Sequence, residues 1–74
     1  MLDAEKVGRA IQRCREEKHR SQELVSGLAG IGRTHLSAIE RGQRRPTLDT
    51  FCRIAEALDM RPSELLRRIE DMGK

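Results

Sequence analysis

Apolar residues recur along this chain three and four positions apart, in short runs bracketed by residues that start or stop helices. Val7, Ile11, Cys14 and Lys18 stand at i, i+4, i+7 and i+11, with Ala10 beside them. This predicts a helix over 3–18 whose apolar stripe ends on the aliphatic stem of Lys18. After the short link His19-Arg20, Ser21 has the chemistry of an N-cap, and a helix over 22–29 turns Leu24, Val25 and Leu28 inward. Gly30 stands where a left-handed C-terminal cap is expected. A third helix over 33–41 buries Leu36 and Ile39, with Gly42 as its stop. Gln43-Arg44-Arg45-Pro46 is extended, because the proline steers Arg45 away from helical geometry. Thr47 caps a fourth helix over 48–58 with Leu48, Phe51, Cys52, Ala55 and Leu58 inward. Pro62, Ser63 and Glu64 open a last helix, about 62–72, with Leu65, Leu66, Ile69 and Met72 on its apolar face. No run has the alternation of a strand. The expected fold is all-α, one compact domain of five helices over 1–74.

Seventy-four residues bury only about 60% of the surface of the unfolded chain, which leaves no room for an enzyme cleft beside a scaffold. Phe51 is the single aromatic residue, so the core must be aliphatic. Cys14 and Cys52 lie far apart, each inside a helical apolar pattern, and read as small core residues rather than a disulfide. With His19 and His35 they lack zinc-ligand spacing, so no metal or other cofactor is expected. The N-terminus has no hydrophobic leader and no apolar run approaches a membrane span. The expectation is a reduced, soluble, cytoplasmic protein with no membrane partner.

The net charge of +3 matters less than where it lies. Between Arg33 and Arg45 four arginines face one acid, Glu40, whereas from Pro46 onward five basic residues meet six acidic ones. Such asymmetry suggests an acidic partner. The third helix opens with Arg33-Thr34-His35, three side chains able to hydrogen-bond, and has an apolar back. A short helix of this kind, after a helix and a tight turn through Ala29-Gly30-Ile31-Gly32, fits the major groove of DNA. The nucleophile, base and orienter of a hydrolase are missing, as is a phosphate-cradling loop with a lysine.

The ordered set S-Q-E at 21–23, L-A-G at 28–30, L-S-A-I-E-R-G at 36–42, Pro46, I-A-E-A-L at 54–58 and P-S-E-L-L at 62–66 resembles the lambda-repressor-like (Cro/repressor, Xre-type) helix-turn-helix family. Within it, R-T-H-L-S-A-I-E-R-G-Q-R-R-P is most similar to the controller proteins of restriction–modification systems, with His35 where those usually carry Tyr. The resemblance implies base contacts from Arg33, Thr34, His35, Ser37 and Ala38. It implies backbone phosphate contacts from Ser21, Gln22, Arg41, Gln43, Arg44 and Arg45. A helix N-terminus favours an anion in its own right, which suits Gln22. Arg33 can take guanine O6 and N7 together, while Ala38 offers only a methyl group. The resemblance also implies a partly buried ion pair between Arg15 and Glu40.

Gly32 stands at the N-cap of the third helix, where Ser, Thr or Asp is commoner, so that helix is less firmly started. The wide apolar face of the last helix suggests a homodimer interface of Met60, Leu65, Leu66, Ile69 and Met72. The expected function is a dimeric, autoregulatory transcriptional regulator on a roughly palindromic operator in double-stranded DNA, with RNA polymerase a further partner if it activates. Two other classes remain, an antitoxin that also represses its own operon and a protein-binding adaptor that uses the fold without DNA.

Overall fold

The computed structural model describes residues 2–72 of the chain; Met1, Gly73 and Lys74 lie outside them. The five elements are α1 (Ala4–Glu17), α2 (Gln22–Ala29), α3 (Arg33–Glu40), α4 (Leu48–Ala57) and α5 (Pro62–Asp71). No strand occurs among the described residues, and none of their helices is long and apolar enough to cross a membrane.

Local chemistry sets the ends of these helices. Asp3 Oδ1 accepts from Glu5 N at 2.9 Å, Ser21 Oγ from Leu24 N at 3.0 Å and Thr47 Oγ1 from Thr50 N at 3.1 Å. Each satisfies a backbone donor that the first turn leaves open. Pro62 follows Arg61, whose backbone N–H donates to the Glu64 carboxylate at 2.9 Å. Gly30 ends α2 in the left-handed conformation. His19 and Asp59 adopt positive φ (54° and 56°) in the turns after α1 and α4 without being glycine. Arg20 lies between those turns, donating to the Ala57 carbonyl and to Asp59, and so ties them together.

The core is aliphatic, with Ile11, Val25, Leu36, Ile39, Ile54, Leu58 and Leu65 fully enclosed and Phe51 at its edge. α2 packs most extensively on α4, and α1 lies against α3. The second contact depends on Gly8, because a Cβ there would lie 2.2 Å from the Ile39 carbonyl oxygen and 2.6 Å from that of Glu40. Gly42 (φ 77°) serves the same junction from the other side: a Cβ would meet Glu5 Cγ at 2.9 Å and Glu5 Cα at 3.0 Å. Together they let α1 seat directly on the end of α3. Two bonds of 3.0 and 3.1 Å from Arg68 to Glu17 tie α5 to α1, and Arg68 holds the Glu17 carboxyl below its ordinary range.

Several inward assignments made from periodicity do not hold. Leu24 and Leu28 are 47% and 60% exposed; α2 instead presents Val25, Ser26 and Ala29 to the core. Small Ser26 and Ala29 permit close helix packing, and the Ser26 hydroxyl is satisfied by the Glu23 carbonyl at 3.2 Å. Leu48, the first residue of α4, is 80% exposed because the opening turn projects beyond the core, and Ile54 fills the inward place. Lys18 is exposed at the end of α1 rather than completing its stripe. Cys52 is half-buried, whereas Cys14 is enclosed and burial pushes its thiol pKa up.

The last helix differs most in consequence. Leu65 and Ile69 are buried within the protomer itself, and Met60 and Met72 pack partly against the same core. α5 packs against α1 and α4, and it is there that Leu65 and Ile69 enter the core. Leu65 and Ile69 therefore offer no surface to a partner, and Leu66 alone of the expected five is substantially exposed.

Candidate nucleic-acid interface

Helical geometry divides α3 cleanly. Leu36, Ile39 and Glu40 are buried, so Thr34, Ser37, Ala38 and Arg41, at i, i+3, i+4 and i+7, form the outward stripe. Thr34 and Arg41 are exposed, while Ser37 and Ala38 are half-covered between them. Arg33 and His35 flank the stripe on opposite sides, His35 half-buried and Arg33 exposed. Gly32 starts the helix with no side-chain cap. The backbone donors of its first turn are therefore left without a side-chain partner from the cap.

One cluster was not visible in the sequence. Arg41 Nη1 donates to Ser37 Oγ at 3.1 Å, and its Nη2 donates to Gln43 Oε1 at 3.1 Å. Ser37, expected among the base contacts, is thus joined to Arg41 and Gln43, expected among the phosphate contacts. Arg45 Nη1 donates to the Leu2 carbonyl at 2.9 Å, so the loop after α3 is tied to the start of the chain. Arg33 and Arg44 make no hydrogen bond or ion pair among the described residues, and both are exposed. Helical spacing places Arg41 beside Ser37, but nothing in it foretells the ties to Gln43 and Leu2, which depend on how the loop folds back.

Behind the surface, the expected ion pair is present. Arg15 Nε donates to Glu40 Oε2 at 2.8 Å and Arg15 Nη2 to Glu40 Oε1 at 3.1 Å. The two side chains are 13% and 3% exposed, which is deep for a charge pair in so small a protein. The spare Arg15 nitrogen, Nη1, reaches the Arg20 carbonyl at 2.9 Å. Gln22 Nε2 adds a third bond to the Glu40 carboxylate at 3.0 Å. One carboxylate therefore ties α1, the start of α2 and the end of α3 together. No buried side-chain N or O lacks a partner among the described residues. Such full satisfaction is what makes a buried charge tolerable.

Ser21 caps α2 through its hydroxyl oxygen and keeps its hydroxyl hydrogen to donate, beside the open backbone N–H groups and positive dipole end of the first turn of α2. The pieces expected to touch a nucleic acid thus lie on one motif: the start of α2, the outer stripe of α3 and the following loop. A groove of about 310 Å³ adjoins that loop, lined by Leu2, Val7, Arg45, Pro46, Leu48, Phe51 and Leu66. It gathers most of the exposed apolar side chains outside α2.

The helix-turn-helix family model HTH_3 matches residues 11–65. The ImmF control region 10 kDa protein of Bacillus phage phi105 is 40% identical over 60 residues, covering 81% of this chain and 67% of the relative. Control protein C.BamHI of Bacillus amyloliquefaciens is 37% identical over 60 residues, covering 80% and 74%. Among solved structures, the restriction-modification controller protein C.AhdI from Aeromonas hydrophila superposes with a TM-score of 0.82 at 38% identity, covering 85% of this chain and 96% of that one.

Proposed function

Because the chain belongs to the helix-turn-helix family of DNA-binding transcriptional regulators, which are not enzymes, we propose that it acts as a homodimer on a roughly palindromic operator beside its own gene. This is the work of a controller protein, done in the cytoplasm. Arg33 and Thr34 read base edges from the start of α3, with His35, Ser37 and Ala38 along the same face. Ser21, Gln22, Gln43, Arg44 and Arg45 hold the sugar–phosphate backbone and fix register. Arg45 keeps its remaining guanidinium donors for this after binding Leu2.

The observation that carries the reading is the outward stripe of α3, polar and arginine-flanked, backed by a fully satisfied Arg15–Glu40–Gln22 cluster. That cluster fixes α2 against α3, which is what a reading surface needs.

An eight-residue recognition helix spans few base pairs, so one protomer has little discriminating power. A second copy doubles the readout, and Leu48, Leu66 and the groove they share are the apolar surface that supports it. This replaces the wider face of α5, whose Leu65 and Ile69 are consumed by the protomer; Met60 and Met72 contribute only their uncovered edges. Two copies related by a two-fold axis present their recognition helices about 34 Å apart.

Footprinting on the DNA upstream of the gene, in excess nonspecific competitor, tests this beside sedimentation of the same protein. A protected, symmetric pair of half-sites bound by a dimer is expected. Binding that salt erases without leaving a footprint would overturn it.

A further inference from the structure

Arg41 stands on the outward stripe of α3 with Thr34, Ser37 and Ala38, not on its flank. Its backbone still bonds within the helix, to the Ser37 carbonyl at 3.0 Å, so its side chain projects in the helical direction. The guanidinium folds back along the helix onto Ser37 Oγ and is held from the other side by Gln43 Oε1. With α3 inserted in the major groove, a head group held over its outer stripe would lie toward the groove floor. A side chain gripping the backbone would reach sideways to the phosphates. Ala38, three positions earlier, ends in a methyl group and offers no hydrogen bond to compete for Arg41.

From this geometry we propose that Arg41 reads a base, a guanine in the major groove, and that Ser37 and Gln43 are its positioning residues. The proposal rests on the DNA-binding reading above, moves Arg41 from the phosphate-contacting set to the base-contacting set, and gives Ser37 and Gln43 a positioning role in place of the DNA contacts assigned to them there. Each of Nη1 and Nη2 spends one N–H inward and keeps the other. Two such donors side by side are what guanine O6 and N7 accept. Prior fixation of the head group also lowers the entropy lost when those bonds form. The carbonyl end of α3 favours a cation at this place whatever it contacts, so charge alone does not distinguish the two roles.

The test is a panel of single-base-pair operator variants measured against the unaltered protein, Arg41→Ala and Arg41→Lys, with each protein's thermal melt recorded. The unaltered protein should prefer one guanine per half-site by about 10-fold or more, the range of a good bidentate contact. Replacing that guanine by 7-deazaguanine should weaken the unaltered protein and leave Arg41→Ala indifferent. Arg41→Lys keeps the charge and can still reach guanine, but loses the fork that Ser37 and Gln43 hold, and should show a weaker preference than the unaltered protein. Ser37→Ala and Gln43→Ala should relax discrimination at that same base pair.

If Arg41→Ala weakened every variant by one factor and lowered the salt slope by about one unit, Arg41 would be a phosphate contact and the proposal wrong. Full retention of the guanine preference by Arg41→Ala would overturn it too. Failure of the unaltered protein to prefer any operator would instead remove the DNA-binding reading beneath it.

Discussion

Gln22 and Glu40, the first residue of α2 and the last of α3, are joined by a 3.0 Å hydrogen bond across the helix-turn-helix. Because Arg15 grips the same carboxylate from α1, the angle between the two motif helices is fixed by chemistry at their far ends as well as by the turn between them.

Glu40→Ala strands the Arg15 guanidinium in a site where it is mostly covered. Losing one partner of such a pair costs about 3–5 kcal/mol, so urea unfolding should show a much lower midpoint at fixed protein concentration. Gln22→Ala removes a single bond while Arg15 still neutralises Glu40, and should cost about 1 kcal/mol. Replacing both charges, as Arg15→Met with Glu40→Leu, should recover most of the stability lost in the single variant.

Two glycines inside helices should respond oppositely to alanine. A methyl group at Gly27 would meet nothing within 4 Å, so Gly27→Ala should raise stability by about 0.5–1 kcal/mol through helix propensity. Gly8→Ala gains the same propensity but drives a methyl group into the backbone of α3. Calorimetry should find it destabilised on balance. Equal gains at both positions would mean that α1 and α3 are not in close contact.

Arg33→Ala should cost about 1–3 kcal/mol on the operator and relax preference at one base pair. Arg44→Ala should weaken all sequences alike and flatten the salt slope by about one unit. A mismatch panel run on both variants at several salt concentrations separates reader from positioner, and identical behaviour would abolish the distinction.

Leu48→Glu places a charge on a side chain already facing solvent, at a helix N-terminus that tolerates an acid. The protomer should stay folded by circular dichroism while sedimentation shows the mass fall to that of one chain and operator binding is lost. An unchanged dimer would remove the groove from the interface. Leu65→Ala should instead damage the fold, by about 2–5 kcal/mol, because that side chain is core.

The helix boundaries were legible because their causes are local: Ser21, Gly30, Thr47 and Pro62 act within a turn of themselves. The motif and its arginine-rich surface were legible for the same reason, together with the family resemblance that supplied the Arg15–Glu40 pair. Which leucines turn inward was not. On a helix as short as α2, Leu24 and Leu28 make a stripe as regular as the true core positions, and only the neighbour's shape decides between Leu and the smaller Ser26 and Ala29. The ties of Gln22 to Glu40, Arg41 to Gln43, and Arg45 to Leu2 arise from the folded chain bringing polar ends together, which no periodicity records.

The support on which α2 leans most heavily, α4, begins at Leu48, after the whole motif in the order of synthesis. Until that helix has emerged from the ribosome, α2 has only its smaller contact with α3. A peptide of residues 1–46 should accordingly show little helix by circular dichroism and hold no operator. The motif is translated early and completed late, so a prematurely terminated chain should be inert rather than a stray competitor for the promoter.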